Sequence, residues 1–430
     1  MIRPLLCLLL TLFIGGCAVK RPAAPFTMQE IAPFLKEAPS PLSQSERSRF
    51  YADFLQKRYT PWQVKEVNAT AASASWAVRY YATKELYGEN RRPLLKTRWR
   101  TWVKNADYTA LNSVRRRAVT VHPANLRLFP SDRPIFFNPA LAGEGYPFDY
   151  NQNSAVKAFT PLIVSHLSAD GGWAFVQTPF ALGWLKLRDI AFVTPKQIEL
   201  VMKMPMVTVV KEGAPIYDGA QNFLFYAKMA TLFPLEREED GFYRILVPKK
   251  EGEQVRFEES LLPVAWAKPM PLSMDPANIG LVADNLLAEP YGWGGVAMDR
   301  DCSAMIRDFF APFGIWLPRN SKAQAETGEV ISLKGLSTAQ KERTITEKGV
   351  PFRTLVHLPG HIMLYVGTLK GQVYVMHNLW GVRTKEGGRY IIAEGVISRL
   401  DLGRNLQGVD EEALLIERID SMNVVIPPAL

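Results

Sequence analysis

The chain has 430 residues, 47% of them hydrophobic and 22% charged, so it can bury a sizeable core in roughly two to four ordinary domains. Its net charge of +9 suits an anionic partner such as an anionic membrane or a cell-wall polymer, or reflects only a solvated basic surface. The clearest basic run, Arg115–Arg117, is too short for an RNA-binding arm, so we do not expect nucleic acid as a partner.

The N-terminus has the features of an export signal. Arg3 precedes the apolar stretch LLCLLLTLFI, which is too short for a membrane-spanning helix and suits the apolar region of a signal peptide (residues 1–16). The sequence IGGC, which ends at Cys17, resembles the bacterial lipobox, and an ordinary signal peptide cleaved elsewhere is the alternative. In signals of this kind, Ala18 favours the outer membrane. We therefore expect an exported lipoprotein, lipidated at Cys17 and facing the periplasm.

Cysteine usage singles out one thiol. The chain has three cysteines, of which Cys7 leaves with the signal and Cys17 takes the lipid. Cys302 is then the only free thiol of the mature chain, and no intramolecular disulfide is expected. A lone cysteine in an exported chain is a candidate reactive thiol. The alternative is a buried cysteine that packs as a small hydrophobic residue.

Three kinds of segment follow the signal. Residues 17–42 are rich in Pro and Ala and read as a tether. Residues 43–108 predict a helical segment, since SQSERSRFYADFLQKRY opens with polar capping residues and repeats apolar residues at helical spacing. Residues 109–196 and 197–268 then show short β runs broken by turn residues, with two Asp-Gly turns that begin similar strand–loop–strand patterns. We predict two tandem barrels, which resemble bacterial SH3-type domains that bind wall polymers or buttress a catalytic domain.

The last domain is predicted at residues 272–430, with helices first and strands afterwards. HIMLYVGTLKG and QVYVMHNLWGV read as a β-hairpin joined around Lys370-Gly371. The predicted fold class is therefore α+β and multidomain, with a helical N-terminal segment, two small β-barrels and a C-terminal α+β domain.

This last domain carries the candidate chemistry. Cys302 begins the probable helix CSAMIRDFFAPFG, whose N-terminus should lower the pKa of the thiol. His361 opens the first strand of the hairpin and His377 ends the second, so the two histidines can meet at one end of the sheet. A thiol, a base and a residue that orients the base form a Cys-His-X triad. Packing roles are the alternative for each, and we interpret His357 as structural.

The motifs PYGWGG, DCSA, PGHIMLYVG and VMHN resemble, in order and spacing, those of the NlpC/P60 family of cell-wall cysteine peptidases, which have a papain-like fold. Ala304 stands where many members have Gly. The resemblance implies that Cys302 is the nucleophile, His361 the general base and His377 the residue that orients it. It covers about residues 275–400, and the whole chain resembles, more loosely, wall endopeptidases with two SH3-like domains.

The implied substrate is the peptide stem of peptidoglycan, cut between D-Glu and the diamino acid, with recognition of the free amine of an N-terminal L-Ala. A buried ammonium needs acceptors, which Asp301, Ser303 and Tyr291 can supply. The alternatives are a helix N-cap for Asp301, a first-turn position for Ser303 and core packing for Tyr291. The first SH3-like domain would wall off the substrate groove.

The sequence contains no metal-ligand cluster and no phosphate-binding loop, and thiol hydrolysis needs no cofactor. Two other functions keep the same domains. One is an amidase or acyltransferase that uses the same triad. The other is a lipid-anchored, wall-binding scaffold with an inactive papain-like domain.

Overall fold

The computed structural model describes residues 27–427, so the predicted signal peptide and the lipidation site Cys17 lie outside it. Between residues 27 and 427, no helix combines the length and the apolar character needed to cross a membrane.

The first part of the described chain is mostly helical. Ser43 begins the longest helix with a capping box, in which its hydroxyl accepts from the Glu46 N–H and the Glu46 carboxylate accepts from the Ser43 N–H. Residues 83–95, which we predicted as helical, form turns that hold Tyr87 against Phe136. The elements are β1 (Thr27–Met28), α1 (Gln44–Gln63), α2 (Ala71–Ala74), α3 (Trp76–Ala82), α4 (Lys96–Ala106) and the 3-10 helices Ala32–Glu37 and Tyr108–Ala110.

Two antiparallel β units follow, joined by one parallel residue pair, Phe192 with Gln254. The first contains β2 (Arg116–Thr120), β3 (Ala124–Arg127), β4 (Gln152–Val156), β5 (Pro161–Leu167), β6 (Trp173–Gln177), β7 (Leu182–Lys186), the 3-10 helix Leu187–Asp189 and β8 (Ile190–Phe192). The second contains α5 (Pro195–Lys203), β9 (Met206–Val209), β10 (Ala214–Tyr217), β11 (Phe223–Ala227), β12 (Leu232–Glu239), β13 (Phe242–Glu251), β14 (Gln254–Pro263) and β15 (Ala267–Pro269). The first unit encloses an apolar core of its own, whereas the core of the second unit also includes Val119, Phe159 and Ala191 of the first.

The C-terminal domain packs helices against a seven-stranded antiparallel sheet. Its elements are α6 (Pro276–Asp284), α7 (Cys302–Phe310), α8 (Ser321–Ala325), β16 (Glu329–Ser332), α9 (Thr338–Lys348), β17 (Thr354–Leu358), β18 (His361–Leu369), β19 (Gln372–Arg383), β20 (Arg389–Arg399), α10 (Leu415–Arg418), β21 (Ser421–Val424) and the 3-10 helices Trp293–Met298, Ala311–Phe313 and Glu411–Ala413. The strand order is β1-β20-β19-β18-β17-β21-β16. The predicted hairpin turn is confirmed, since β18 and β19 flank Lys370 and Gly371, both at positive φ.

The predicted tether, residues 17–42, is folded rather than free from residue 27 onward. β1 adds an edge strand to the C-terminal sheet by pairing with β20. Ile31 and Phe34 are fully buried in the core of the same domain. Pro and Ala content suggested a linker, but these two apolar side chains bury enough surface to hold the segment in place.

A buried ion network joins the C-terminal domain to both β units. Arg300 pairs with Asp308, at 2.7 Å between Nε and Oδ2, and with Glu212 of the second unit. Lys157 of the first unit pairs with the other oxygen of Asp308. Three units of the chain thus meet at charges that are largely removed from water.

The Gly-rich stretch GWGG also serves this docking. Gly294 and Gly295 both have positive φ, and each lies against β4 of the first β unit. A Cβ at Gly295 would lie 2.5 Å from the backbone nitrogen of Ala155, and one at Gly294 would lie 2.6 Å from the carbonyl oxygen of Gln152. The two glycines therefore allow a backbone approach that any side chain would prevent.

Candidate active site

Cys302 begins α7, where Asp301 is the N-cap and accepts from the Ala304 N–H at 2.8 Å. The thiol is buried, with 7% of the residue exposed. Backbone hydrogen bonds from Ile362 and Ser303 reach its sulfur. Because Ile362 follows His361 directly, the start of β18 lies beside the thiol.

The expected low pKa of the thiol is wrong for this structure. Burial first, and then the negative charge of Asp301, raise the pKa of Cys302 to about 12, and the backbone hydrogen bonds only partly oppose them. Burial, and after it the carboxylate of Asp301 that caps the helix, outweighs the effect of the helix N-terminus on this pKa. At neutral pH the resting thiol is therefore protonated, and it needs a base to become a nucleophile.

A hydrogen-bonded relay supplies that base. His361 Nε2 lies 2.8 Å from His377 Nδ1, and His377 Nε2 lies 2.9 Å from Ser398 Oγ. Ser398 donates its proton to the carbonyl oxygen of Arg399 at 3.0 Å, so its oxygen accepts from His377 Nε2–H. His377 Nδ1 then accepts from His361 Nε2–H, and His361 Nδ1 keeps a free lone pair. The relay leaves His361 in the tautomer of a general base.

Both histidines are held neutral. Burial and the charge of Arg418 lower the pKa of His361 to about 4, and burial lowers the pKa of His377 well below its usual value. His361 opens β18 as predicted, but His377 lies in the middle of β19 rather than at its end. β19 extends beyond the apolar residues that predicted its end, because β20 pairs with it along nearly its full length.

Tyr291, Asp301 and Ser303 surround the thiol, but two of them are already occupied by Arg319. The Arg319 guanidinium donates to both oxygens of Asp301, at 3.0 and 2.8 Å, and to Ser303 Oγ at 2.9 Å. Burial alone would raise the pKa of Asp301, but the charge and hydrogen bonds of Arg319 outweigh it and lower that pKa. Gly294, Ser303 and Ala304 also donate to this carboxylate. Arg319 was not among the site residues that the sequence motifs predicted.

Asp301 and Ser303 therefore do not present an unpaired acceptor to an ammonium, contrary to our expectation. Tyr291 remains available, since its hydroxyl has no hydrogen-bond partner among residues 27–427. Burial, and after it the charges of Cys302 and Asp301, raise the pKa of Tyr291 well above the usual value, which indicates that the phenol lies near both groups. Tyr291 also lines the cleft described next.

An open cleft of about 680 Å³ extends from His361 between the C-terminal domain and the first β unit. Gly143 and Phe148, from the connection between β3 and β4, form one side of it. Phe148 packs on Trp380 with ring centroids 5.3 Å apart and on Trp293 at 5.5 Å. The first β unit thus contributes a wall of the cleft, as we expected of the first SH3-like domain.

His357 lies outside the relay. Its Nδ1 is 2.8 Å from the Asp420 carboxylate, which fits the structural role that we predicted for it. Within the described part of the chain, no cluster of three or more His, Cys, Asp or Glu side chains has the arrangement of a metal site.

Three family models match the chain. The model of the NlpC/P60 family matches residues 288–387, which include Cys302, His361 and His377. The C-terminal domain is an NlpC/P60 domain. An SH3 domain model of the SH3b1 type matches residues 134–186, inside the first predicted barrel, and a model of the N-terminal stabilising domain of NlpC/P60 proteins matches residues 6–110. A comparison with curated proteins found no match.

Solved structures share this architecture. An NlpC/P60 endopeptidase from Photobacterium damselae subsp. piscicida has a TM-score of 0.82 at 22% identity, over 94% of this chain and 98% of that one. An NlpC/P60 family protein from Bacillus cereus has a TM-score of 0.50 at 17% identity, over 72% of this chain and 100% of that one. These similarities confirm the α+β multidomain fold, in which an SH3b domain and an NlpC/P60 domain lie in one chain. The predicted domain boundaries stay predictions.

Proposed function

We propose that this protein is a cysteine endopeptidase of peptidoglycan stem peptides, which hydrolyses the bond between γ-D-Glu and the diamino acid. The observation that carries the proposal is the relay from Ser398 through His377 to His361. It leaves an unprotonated ring nitrogen on His361 at the start of β18, and the next residue of that strand, Ile362, donates a backbone hydrogen bond to the buried thiol of Cys302. The cleft that begins at His361 is lined by residues of the C-terminal domain and of the first β unit, so a peptide bound there would contact both.

The chemistry follows from the protonation states. His361 Nδ1 takes the proton of Cys302 as the sulfur attacks the carbonyl carbon, because a thiol with so high a pKa does not ionise alone. The imidazolium then gives this proton to the leaving amine, and a thioester remains on the sulfur. His361 next deprotonates a water molecule that attacks the thioester, and it returns this proton to the sulfur as the carboxylic acid product leaves. The Cys302 N–H, the first of α7, has no acceptor inside the helix and suits the oxyanion.

For the substrate, we propose a stem peptide with a free N-terminal L-Ala, and Tyr291 as one of its contacts. The unpaired phenol in the cleft supports this role for Tyr291, whereas Asp301 and Ser303 hold Arg319 and shape the site indirectly. We also propose that the enzyme acts outside the cytoplasm, anchored to the outer membrane through a lipid on Cys17.

Defined peptides test this function. We expect the protein to split L-Ala-γ-D-Glu-diaminopimelate into L-Ala-D-Glu and diaminopimelate, and to cleave the N-acetylated peptide at least about tenfold more slowly, because acetylation removes a charged contact. Mass spectrometry of the products identifies the bond. With the same tripeptide attached to N-acetylmuramic acid as a third probe, release of the whole peptide would instead identify an amidase. Binding to sacculi without cleavage would identify a scaffold.

Ser398→Ala should lower kcat about tenfold with little change in KM, since the serine fixes the tautomer of His377 without touching substrate. Ser398→Thr, which keeps the hydroxyl, should restore most of the rate. The measurements are steady-state kinetics on the tripeptide and its pH profile, in which the acid limb should move for Ser398→Ala only. Equal kcat values for the parent and Ser398→Ala would remove Ser398 from the relay.

A further inference from the structure

One wall of the cleft carries three arginines, Arg383, Arg389 and Arg418. Arg383 ends β19 and Arg389 begins β20, and the two are direct partners in the antiparallel register. Like charges that face each other across two strands destabilise the pair. The hairpin keeps this arrangement at the edge of the cleft, where a bound anion would relieve it.

The wall has more positive charge than its neighbours balance. Arg383 Nε lies 3.4 Å from Asp410, and Glu412 lines the same cleft. Within residues 27–427, no carboxylate lies within ion-pair distance of Arg389 or Arg418. Partial burial and the charges of Arg383 and Arg418 lower the pKa of Arg389, as expected when three guanidinium groups crowd together.

The arginines also lie close to the reacting groups and to the SH3b side of the cleft. Arg418 is close enough to His361 for its charge to lower the pKa of that histidine, an effect second only to that of burial. A Cβ at Gly143, on the opposite side, would lie 3.7 Å from Arg389 Nε. Any peptide that passes His361 along the cleft therefore comes within reach of these guanidinium groups.

We propose that Arg383, Arg389 and Arg418 form a subsite that binds a carboxylate of the peptide substrate. The guanidinium fork pairs with a carboxylate through two parallel hydrogen bonds, which gives orientation as well as charge. The inference rests on the proposed function, in which the substrate carries a free α-carboxylate on D-Glu and further carboxylates on the diamino acid. Either source offers the same chemistry to the three arginines.

Kinetics on three tripeptides identify the carboxylate. The probes are L-Ala-γ-D-Glu-diaminopimelate with all carboxylates free, the same peptide amidated at the D-Glu α-carboxyl, and the same peptide amidated at the diaminopimelate carboxyls. Arg389→Gln and Arg418→Gln should each raise KM for the free-acid peptide about tenfold, and the double variant about a hundredfold. If the parent is given the peptide amidated at the recognised carboxyl, its KM should rise as much as the arginine variants raise KM for the free-acid peptide. On that amidated peptide, the variants and the parent should have the same KM.

Three further variants serve as controls for this test. Arg389→Lys and Arg418→Lys keep the charge and should recover part of the affinity. Arg343→Gln, on α9 and paired with Glu347 away from the cleft, should behave as the parent. Equal losses on all three peptides, or unchanged KM values in the double variant, would overturn the subsite.

Binding separates the subsite from the proposed function. Titration calorimetry of the three peptides on Cys302→Ala protein, with and without Arg389→Gln and Arg418→Gln, reads affinity without hydrolysis. If the parent cleaves none of the peptides, the proposed function fails, and loss of carboxylate-dependent binding in the arginine variants still supports the subsite. If Cys302→Ala protein binds free-acid and amidated peptides equally, the subsite fails even where the parent cleaves.

Discussion

Cys302→Ala should lower kcat/KM for the tripeptide by about 10⁴-fold or more, because the thioester needs a thiol and Cys302 is the only cysteine among residues 27–427. His361→Gln should cost a similar factor, since a buried thiol whose pKa is raised to about 12 does not ionise without its base. The double variant should be no slower than either single variant, because the two residues act as one unit. Single-turnover kinetics with mass spectrometry of the thioester would measure these effects.

The controls separate chemistry from folding. His357→Gln removes a histidine that pairs with Asp420 outside the relay, and its rate on the tripeptide should stay near that of the parent. Cys302→Ala removes a single sulfur from a buried position, so its thermal unfolding midpoint should change little. Cleavage by Cys302→Ala at the parental rate would refute the thiol mechanism.

The sequence was enough to find the thiol and the two histidines because each lies in a local pattern. Asp301 caps a helix that begins at Cys302, and a Pro-Gly turn places His361 at the start of a strand. The pairing of β18 with β19 then brings His377 close to His361, and this contact depends only on the local hairpin. The same local reasoning predicted the α+β class and the SH3-type barrel that an SH3b model matches.

The remaining site residues could not be predicted because they meet only through long-range packing. Arg319 lies in a loop with no regular pattern, and Ser398 lies on a strand whose partner had to be known first. Phe148 comes from the first β unit, and nothing in its surrounding letters indicates a cleft in another domain. The prediction of a low pKa for Cys302 was wrong for the same reason, since burial by distant elements outweighs the effect of the local helix N-terminus.

The buried ion network around Asp308 should contribute strongly to the free energy of unfolding. Asp308→Asn keeps the shape of the side chain but leaves Lys157 without its partner and Arg300 with only Glu212. We expect a loss of about 3–5 kcal/mol in the free energy of unfolding at pH 7, since breaking a buried pair leaves an uncompensated charge. Urea denaturation measures it. Glu199→Gln breaks an exposed pair with Lys203 and should leave the midpoint unchanged.

The pH dependence identifies the cause. Burial lowers the pKa of Lys157 to about 8, and Asp308 keeps it from falling further. Without Asp308 the folded pKa drops, so the unfolded chain binds this proton more readily and the loss of stability grows as the pH falls below about 8. Near pH 9.5 Lys157 is mostly neutral in both folded proteins, and the difference between parent and Asp308→Asn should shrink to the part due to Arg300. A difference that is the same at pH 7 and pH 9.5 would mean that Lys157 draws no stability from Asp308, and that the loss in Asp308→Asn comes from Arg300 alone.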